Sequence, residues 1–255
     1  MVVEAVQQPV THSPRALAKK ICDRKYGIGA DGLLLLERSK RADIRMRIFN
    51  ADGSEAEMCG NGARCVALYV SLQGLAQASR KKIKIETKAG IIDAEVHSDT
   101  VKIKLTDPKL ARFDIPLKVG GCYIRVNFID TGVPHTVVFA EGLDKIDVKQ
   151  LGPLLRYHTA FAPRGTNVDF IEVLSGDAIK IRTYERGVED ETLACGTGSV
   201  AAALVFARKA GVDKTIHVHT RSGEILTVYF TRRNRRFRDV WLRGKARMVF
   251  KGEIV

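Results

Sequence analysis

The chain has 255 residues, 45% of them apolar, and 42 Lys and Arg against 29 Asp and Glu give it a net charge of +13. Half that length still suffices for a packed domain; no stretch is long and apolar enough to span a bilayer, and Met1-Val2-Val3-Glu4 lacks the basic start and apolar core of a signal peptide. The five cysteines are an odd number without CxxC spacing, which argues against a disulfide framework or a structural zinc and for reduced thiols in a cytoplasm.

In chain order, Pro14–Cys22 reads as a peripheral amphipathic helix, with Ser13 as N-cap and Pro14 at the first helical position. Ile44–Phe49 alternates apolar and polar residues as a strand does. Gly62–Val70 is apolar nearly all round, the pattern of a buried helix, and stops near Gly74. Strands follow at Ile83–Thr87, Ile91–Val96 and Val101–Leu105, punctuated by Gly or Asp-Pro. A strand over Cys122–Asp130 turns toward His135. Ile179–Tyr184 alternates again, and Gly198–Ala207 is a second apolar helix ending near Gly211. Ile216–Thr220, Ile225–Phe230 and Val240–Leu242 complete the strands. The basic run Arg232–Arg238 reads as a solvated hairpin tip rather than a nucleic-acid patch, because the other basic charge is spread thinly and Phe237 is its one aromatic residue. Steering of an anionic substrate is a weaker reading, and no nucleic-acid or membrane partner is expected.

The chain repeats itself. Met58-Cys59-Gly60-Asn61-Gly62-Ala63-Arg64 and Ala194-Cys195-Gly196-Thr197-Gly198-Ser199-Val200 lie 136 residues apart, each before an apolar run. Ile83–Gly90 matches Ile216–Gly223 at a spacing of 133, Arg45–Asn50 matches Lys180–Glu185 at 135, and Tyr26–Asp31 matches Ala162–Asn167 at 136. So long a period means two duplicated domains and not a solenoid. The expected fold is α/β: two pseudo-symmetric halves, each a mainly antiparallel sheet or barrel wrapped around one central apolar helix. The expected halves are 1–106 plus 246–255 and 107–245, with the active site in the cleft between them. Val2-Val3 aligns with Val137-Val138, so the strand Cys122–Asp130 and the turn to His135 have no first-half partner. About 15 residues are thus expected to be missing from the first half, through a trimmed chain, a mis-chosen start codon or a degenerate copy.

Cys59 and Cys195 each open a buried helix. Helix N-termini expose unpaired N–H groups and about half a positive charge, glycines let a ligand approach the backbone, and the same field favours a thiolate over its usual pKa of about 8.5. Such a site can grip a carboxylate and hold a thiol beside its α-carbon. Two thiols facing each other across a pseudo-two-fold axis suit removal of a proton from one face and return on the other. One cysteine alone reads as a small buried hydrophobe; two at matched positions favour chemistry. Cys65, whose repeat partner is Ala201, reads as core, and Cys22 and Cys122 as structural. Glu185-Arg186 ends a strand ten residues before Cys195, as Asn50 does nine before Cys59. That charged pair is either a surface ion pair or a clamp for a substrate's ammonium and carboxylate. His135 in its turn is either a hydrogen-bonded structural residue or an acid–base helper.

These residues resemble the diaminopimelate epimerase family. The carrying motifs are Phe49–Glu55 with Met58–Cys65, and Tyr184–Gly187 with Ala194–Gly198; Tyr26–Gly32 and Arg164–Asn167 add to them, and the likeness spans essentially the whole chain. The resemblance implies cofactor-independent epimerisation of LL-2,6-diaminopimelate to the meso form, a step of lysine and peptidoglycan precursor biosynthesis, without pyridoxal phosphate or metal. It implies Cys59 and Cys195 as the acid/base pair, His135 and Glu185 as their helpers, and substrate contacts from Asn50, Gly60, Asn61, Asn167, Glu185, Arg186, Gly196 and Thr197. It also implies a cytoplasmic homodimer. Proline racemases and the phenazine-pathway isomerase share the fold type but fit less well: the first usually has His where Asn61 stands, and the second lacks the cysteine pair. Three departures stand out. Gly32 stands where the family often has Gln, Val133 stands where it often has Asn, and the opening Gly-x-Gly-Asn-Asp turn is absent. A racemase for another amino acid and a truncated non-catalytic member are the alternatives.

Overall fold

Alternating apolar residues set the strands and continuous apolar runs set the central helices. The computed structural model describes residues 1–6, 13–76, 81–234 and 236–253. The chain divides into two units, Met1–Lys104 with Lys245–Val255, and Leu105–Gly244.

The first unit contains β1 (Val2–Glu4), α1 (Pro14–Cys22), β2 (Gly32–Glu37), β3 (Ile44–Asn50), β4 (Glu55–Ala56), α2 (Gly60–Gln73), β5 (Lys82–Thr87), β6 (Gly90–His97) and β7 (Thr100–Lys104). Its strands run in the order β1-β2-β3-β5-β6-β7, with β4 beside β3. The β1–β2 and β3–β5 pairs are parallel and the others antiparallel. Four successive leucines in β2 are buried because both faces of the strand are covered. Leu33 and Leu35 join Phe49 against Ala18, Ile21 and Cys22 of α1. Leu34 points the other way, where a Cβ on Gly62 of α2 would lie 2.8 Å from Leu34 Cδ2. The helix α2 packs on β3, β5, β6 and β7 and ends at Gly74, whose φ of 67° is the left-handed conformation that glycine adopts without strain. Ser13 gives α1 no side-chain cap; its backbone carbonyl accepts the first helical bond, from Leu17 N–H at 2.9 Å.

The second unit contains β8 (Leu110–Val119), β9 (Cys122–Asp130), β10 (Pro134–Phe139), α3 (Val148–Arg156), β11 (Asn167–Ser175), β12 (Ala178–Glu185), β13 (Asp190–Thr192), α4 (Gly196–Ala210), β14 (Thr215–His219), β15 (Ile225–Arg233) and β16 (Arg236–Lys245). The strand order is β16-β15-β14-β12-β11-β10-β9-β8, with β13 beside β12. Of these pairs β10–β11 and β12–β14 are parallel. Helix α4 is buried from Gly198 to Ala207 and packs on β9, β10, β11, β12, β14 and β15, so the sheet wraps around it. On the sheet's other face α3 covers β11, β12 and β13, with Val148 and Leu155 packed among Phe128, Val168 and Phe170. Asp147 caps α3 by accepting from Gln150 N–H at 3.0 Å.

The duplication holds in register. Val2 pairs with Leu34 and Leu34 with Ile48 in the first unit; Val137 pairs with Asp169 and Asp169 with Thr183 in the second, each position shifted by 135. A buttress repeats as well. Arg47 on β3 grips Glu55 on β4 through two bonds of 2.8 and 3.2 Å, and Arg182 on β12 grips Glu191 on β13 through two of 2.7 and 2.9 Å. Each fork pins the short strand that leads to a cysteine.

Two readings of cysteines change. Cys65 is exposed, not core: α2 is buried on one broad face only, and Asn61, Cys65 and Leu72 fall on its outer stripe. Cys122, at the start of β9, is exposed too, whereas Cys22 is buried. The basic run lies on the β15–β16 hairpin, turning at Asn234 with φ 48°. Arg232 faces Asp213 and Arg238 faces Asp107, each at 3.4 Å; Arg235 lies outside the described residues.

Candidate active site

In the first unit, Cys59 is the N-cap of α2, and its Sγ accepts from Gly62 N–H at 3.3 Å. Gly60 and Asn61 form the first turn of the helix, and Asn61 is exposed. Asn50 closes β3. Its Nδ2 donates to Ser54 Oγ at 2.9 Å, inside a turn in which Ser54 also donates to Asp52 Oδ1 at 2.6 Å. Cys59 is half-buried.

The second unit repeats the cap. Cys195 Sγ accepts from Gly198 N–H at 3.4 Å and lies 3.5 Å from Thr197 Oγ1. From there a chain of polar groups runs inward. Thr197 Oγ1 is 3.0 Å from His135 Nε2, and His135 Nδ1 is 2.8 Å from Asp169 Oδ2. Thr183 Oγ1 donates to Asp169 Oδ1 at 2.8 Å. His135 and Asp169 are both fully buried. The parallel pairing of β10 with β11 places His135 opposite Asn167, and Asn167 links two further residues. Its Oδ1 accepts from Arg186 N–H at 2.8 Å and its Nδ2 donates to Pro134 C=O at 3.1 Å. The guanidinium of Arg186 donates to Arg164 C=O at 3.2 Å.

Electrostatics distinguishes the groups of the second half-site. Burial pushes the Cys195 thiol well up, and the carboxylates of Glu185 and Asp169 add to it; the hydrogen bonds from Thr197 and Gly198 N–H pull the other way but do not prevail. At Cys195 burial thus outweighs the helix N-terminus and favours the protonated thiol. Glu185 is raised as well, chiefly by burial, against the Thr192 hydroxyl and His135, which lower it. Arg186 is lowered by burial and by its neighbours Arg156 and Arg164.

The second unit thus brings Cys195, Thr197 and His135 into one hydrogen-bonded chain, with Glu185 acting on the thiol through its charge. Asn167 and Arg186 form a separate joined pair, and Cys59, Gly60 and Asn61 share one helix start in the first unit. Asp169 and Thr183 were not singled out in the sequence. Their signal was available: Asp169 is a charged residue at an inward-facing strand position whose repeat counterpart is Leu34. Among the described residues no cluster of His, Cys, Asp and Glu has an arrangement that could hold a metal ion. Nor is any helix among them long and apolar enough to cross a membrane.

A family model described as diaminopimelate epimerase matches residues 1–111 and 127–249. The chain belongs to the diaminopimelate epimerase family. The diaminopimelate epimerase of Aquifex aeolicus is 43% identical over 95% of this chain and 86% of its own length. That of Caldanaerobacter subterraneus subsp. tengcongensis is 41% identical over 100% and 94%, and that of Archaeoglobus fulgidus 42% identical over 92% and 84%. Among solved structures, a Bacillus anthracis phenazine biosynthesis protein of the PhzF family superposes with a TM-score of 0.69 at 20% identity, over 91% of this chain and 84% of that one. A hydroxyproline epimerase from Agrobacterium vitis superposes with a TM-score of 0.68 at 18% identity, over 89% and 75%. At such identities these two share the fold alone: a mixed α/β architecture of many strands around few helices, common to members of the family and to their distant structural neighbours.

Proposed function

We propose that the protein is an isomerase that converts LL-2,6-diaminopimelate to the meso form with Cys59 and Cys195 as its two bases. The observation that carries this reading is the matched pair of thiol caps: at equivalent positions of a duplicated frame, each cysteine is the N-cap of a central helix and accepts from the N–H three residues on. Full-length relatives named diaminopimelate epimerase support the substrate. In the proposed cycle one cysteine, as thiolate, takes the α-proton while the other, as thiol, gives its proton to the opposite face of the same carbon. The substrate's atoms balance, and the two cysteines exchange protonation states. Negative charge spreading into the α-carboxylate is met by helix-start N–H groups at Gly60-Asn61 and Gly196-Thr197, fixed donors of the kind that stabilise developing charge. Asn50, Asn167, Glu185 and Arg186 hold the substrate's remaining ammonium and carboxylate, and His135 and Glu185 assist the thiols. The chemistry needs neither pyridoxal phosphate nor metal.

The proposal assigns one half-site to each half of the chain, 1–106 plus 246–255 and 107–245, with the two thiols serving one substrate in the cleft between the halves. It also takes the working enzyme to be a cytoplasmic homodimer. The test is α-proton exchange: reduced protein is incubated with LL-diaminopimelate in heavy water and followed by proton NMR. Loss of the α-proton signal with appearance of meso product is expected for the wild type, and neither Cys59→Ala nor Cys195→Ala should turn over. An alanine variant with wild-type turnover, or a wild type without exchange, would overturn the reading.

A further inference from the structure

The two half-sites have the same backbone and different surroundings. Helix residue Gly62 is backed by Leu34, which pairs with Ile48, whereas Gly198 is backed by Asp169, which pairs with Thr183. The frame therefore accepts aliphatic residues at both positions, and the second unit has a buried carboxylate and hydroxyl there instead. Burying a charge is costly unless it is paired, and here the partners are His135 and Thr183.

With the histidine ring neutral and Asp169 ionised, the hydrogens of this cluster have one consistent order. Asp169 as carboxylate can only accept, so it takes the Thr183 hydroxyl on Oδ1 and His135 Nδ1–H on Oδ2. With Nδ1 protonated, a neutral ring presents Nε2 as an acceptor, which takes the Thr197 hydroxyl at 3.0 Å. Thr197 Oγ1 is then an acceptor toward Cys195 Sγ–H at 3.5 Å. Every donor points inward, from the thiol toward the carboxylate.

We propose that Asp169 is a positioning residue that fixes this order, and that Thr197 Oγ1 and His135 Nε2 carry the Cys195 proton out of the half-site and back. In the outward step the S–H bond breaks and its proton goes to Thr197 Oγ1, whose own proton passes to His135 Nε2. The products are a thiolate and an imidazolium held by Asp169, with no proton gained or lost overall. The return step is the same path reversed. The charged and titratable groups facing Cys195 are Glu185, Asp169 and, through Thr197, His135. The inference rests on the two-thiol reading only in that Cys195 must change its protonation state.

The test reads thiolate at Cys195 without any substrate. Reduced protein is treated with iodoacetamide, small and uncharged because Cys195 is 8% exposed, and the alkylation rates of Cys195 and Cys59 are followed separately by peptide mass spectrometry. Asp169→Asn is nearly isosteric, but its amide can donate to His135 Nδ1, which turns the ring to the other tautomer and reverses the order. A wrong tautomer of this kind costs about 10⁴ in the turnover of a serine protease. Cys195 should alkylate at least about tenfold more slowly in Asp169→Asn, with Cys59 unchanged. Loss of a nearby negative charge alone would speed alkylation, so the sign separates the relay from simple electrostatics. Thr197→Val, which removes only the hydroxyl, should slow Cys195 similarly, and Thr197→Ser should stay within about twofold of wild type. An unchanged or faster Cys195 in Asp169→Asn, an unchanged Thr197→Val, failure of the serine variant, or both cysteines shifting together would overturn the relay. Because no diaminopimelate is involved, a failed relay leaves the proposed epimerisation standing, and a failed epimerisation leaves the relay test intact.

Discussion

Gly62 and Gly198 occupy the same place in the two units, and alanine at each should have very different consequences. Both lie in the first turn of a helix without a positive φ, so the space for a methyl group decides the outcome. At Gly62 the new Cβ would meet Leu34 Cδ2 at 2.8 Å, the far end of a flexible apolar side chain that can rotate aside. At Gly198 it would meet Asp169 Oδ1 at 2.5 Å, and Asp169 is held on both oxygens. Restoring an ordinary contact of 3.4 Å requires the carboxylate to retreat by about 0.9 Å. A retreat directed away from His135 and Thr183 would stretch their bonds, now at 2.8 Å, beyond hydrogen-bond range, to about 3.7 Å. Bonds to a charged group contribute about 1.5–3 kcal/mol each, so Gly198→Ala should cost about 4 kcal/mol, or about 8–16 °C in Tm. Gly62→Ala should cost less, about 1–3 kcal/mol, the usual range for an added methyl group in a packed core. Thermal unfolding followed by circular dichroism measures both, and equal losses, or a neutral Gly198→Ala, would refute the account of Asp169 as a fixed, doubly bonded group.

Further expectations follow from the charges. The Cys195 thiol, pushed up by burial and by Glu185 and Asp169, should titrate well above the ordinary thiol value of about 8.5, as read from the pH dependence of its alkylation. Because its folded pKa is the higher one, it should add nothing to the pH dependence of stability near neutrality and reduce stability as pH rises through the unfolded value. Burial pushes Glu191 up, but Arg182 and Arg221 outweigh it and leave it below the usual carboxylate range. Its contribution is therefore present above about pH 4.3 and lost as pH falls through the lower folded value. In urea unfolding, Glu191→Gln should cost about 1.5–3 kcal/mol, and Glu55→Gln, at a pair whose side chains are 27% and 19% exposed, should cost less.

Much of this was legible in the sequence because the repeat is written in residues that backbone geometry requires. The two Cys-Gly-x-Gly starts, the apolar runs behind them and Gly74 and Gly211 at the helix ends mark both central helices within a turn of their observed bounds. Helix α3 was not legible: Gly152 and Pro153 sit inside it and argue locally against a helix. Gly152 is there because a Cβ would lie 2.4 Å from Tyr184 Cγ, a contact with a strand about thirty residues on that no local pattern reveals. Cys65 misled for the opposite reason. A run of Ala, Val and Leu suggests burial on every side, but α2 keeps an outer stripe while α4 does not. At the candidate site, residue types marked Cys59, Cys195, Glu185 and His135, whereas the state of the Cys195 thiol depends on burial that no motif encodes.

Duplication also explains where to look for what is specific to each half. Positions that must be alike for the backbone to fold are alike in both units: the thiol cap, the glycine three residues on, and the Arg–Glu fork that holds the preceding short strand. Positions that differ while the backbone stays the same are free of that constraint, and Leu34 against Asp169 and Ile48 against Thr183 are such positions. A buried carboxylate is an expensive replacement for a leucine unless something is gained by its charge. Its partners show what the charge can do: it holds a fully buried histidine whose other nitrogen faces the hydroxyl beside Cys195. The asymmetry between the half-sites thus lies in two inward-facing residues behind the second thiol together with Thr197 of its motif, where the first unit has Asn61.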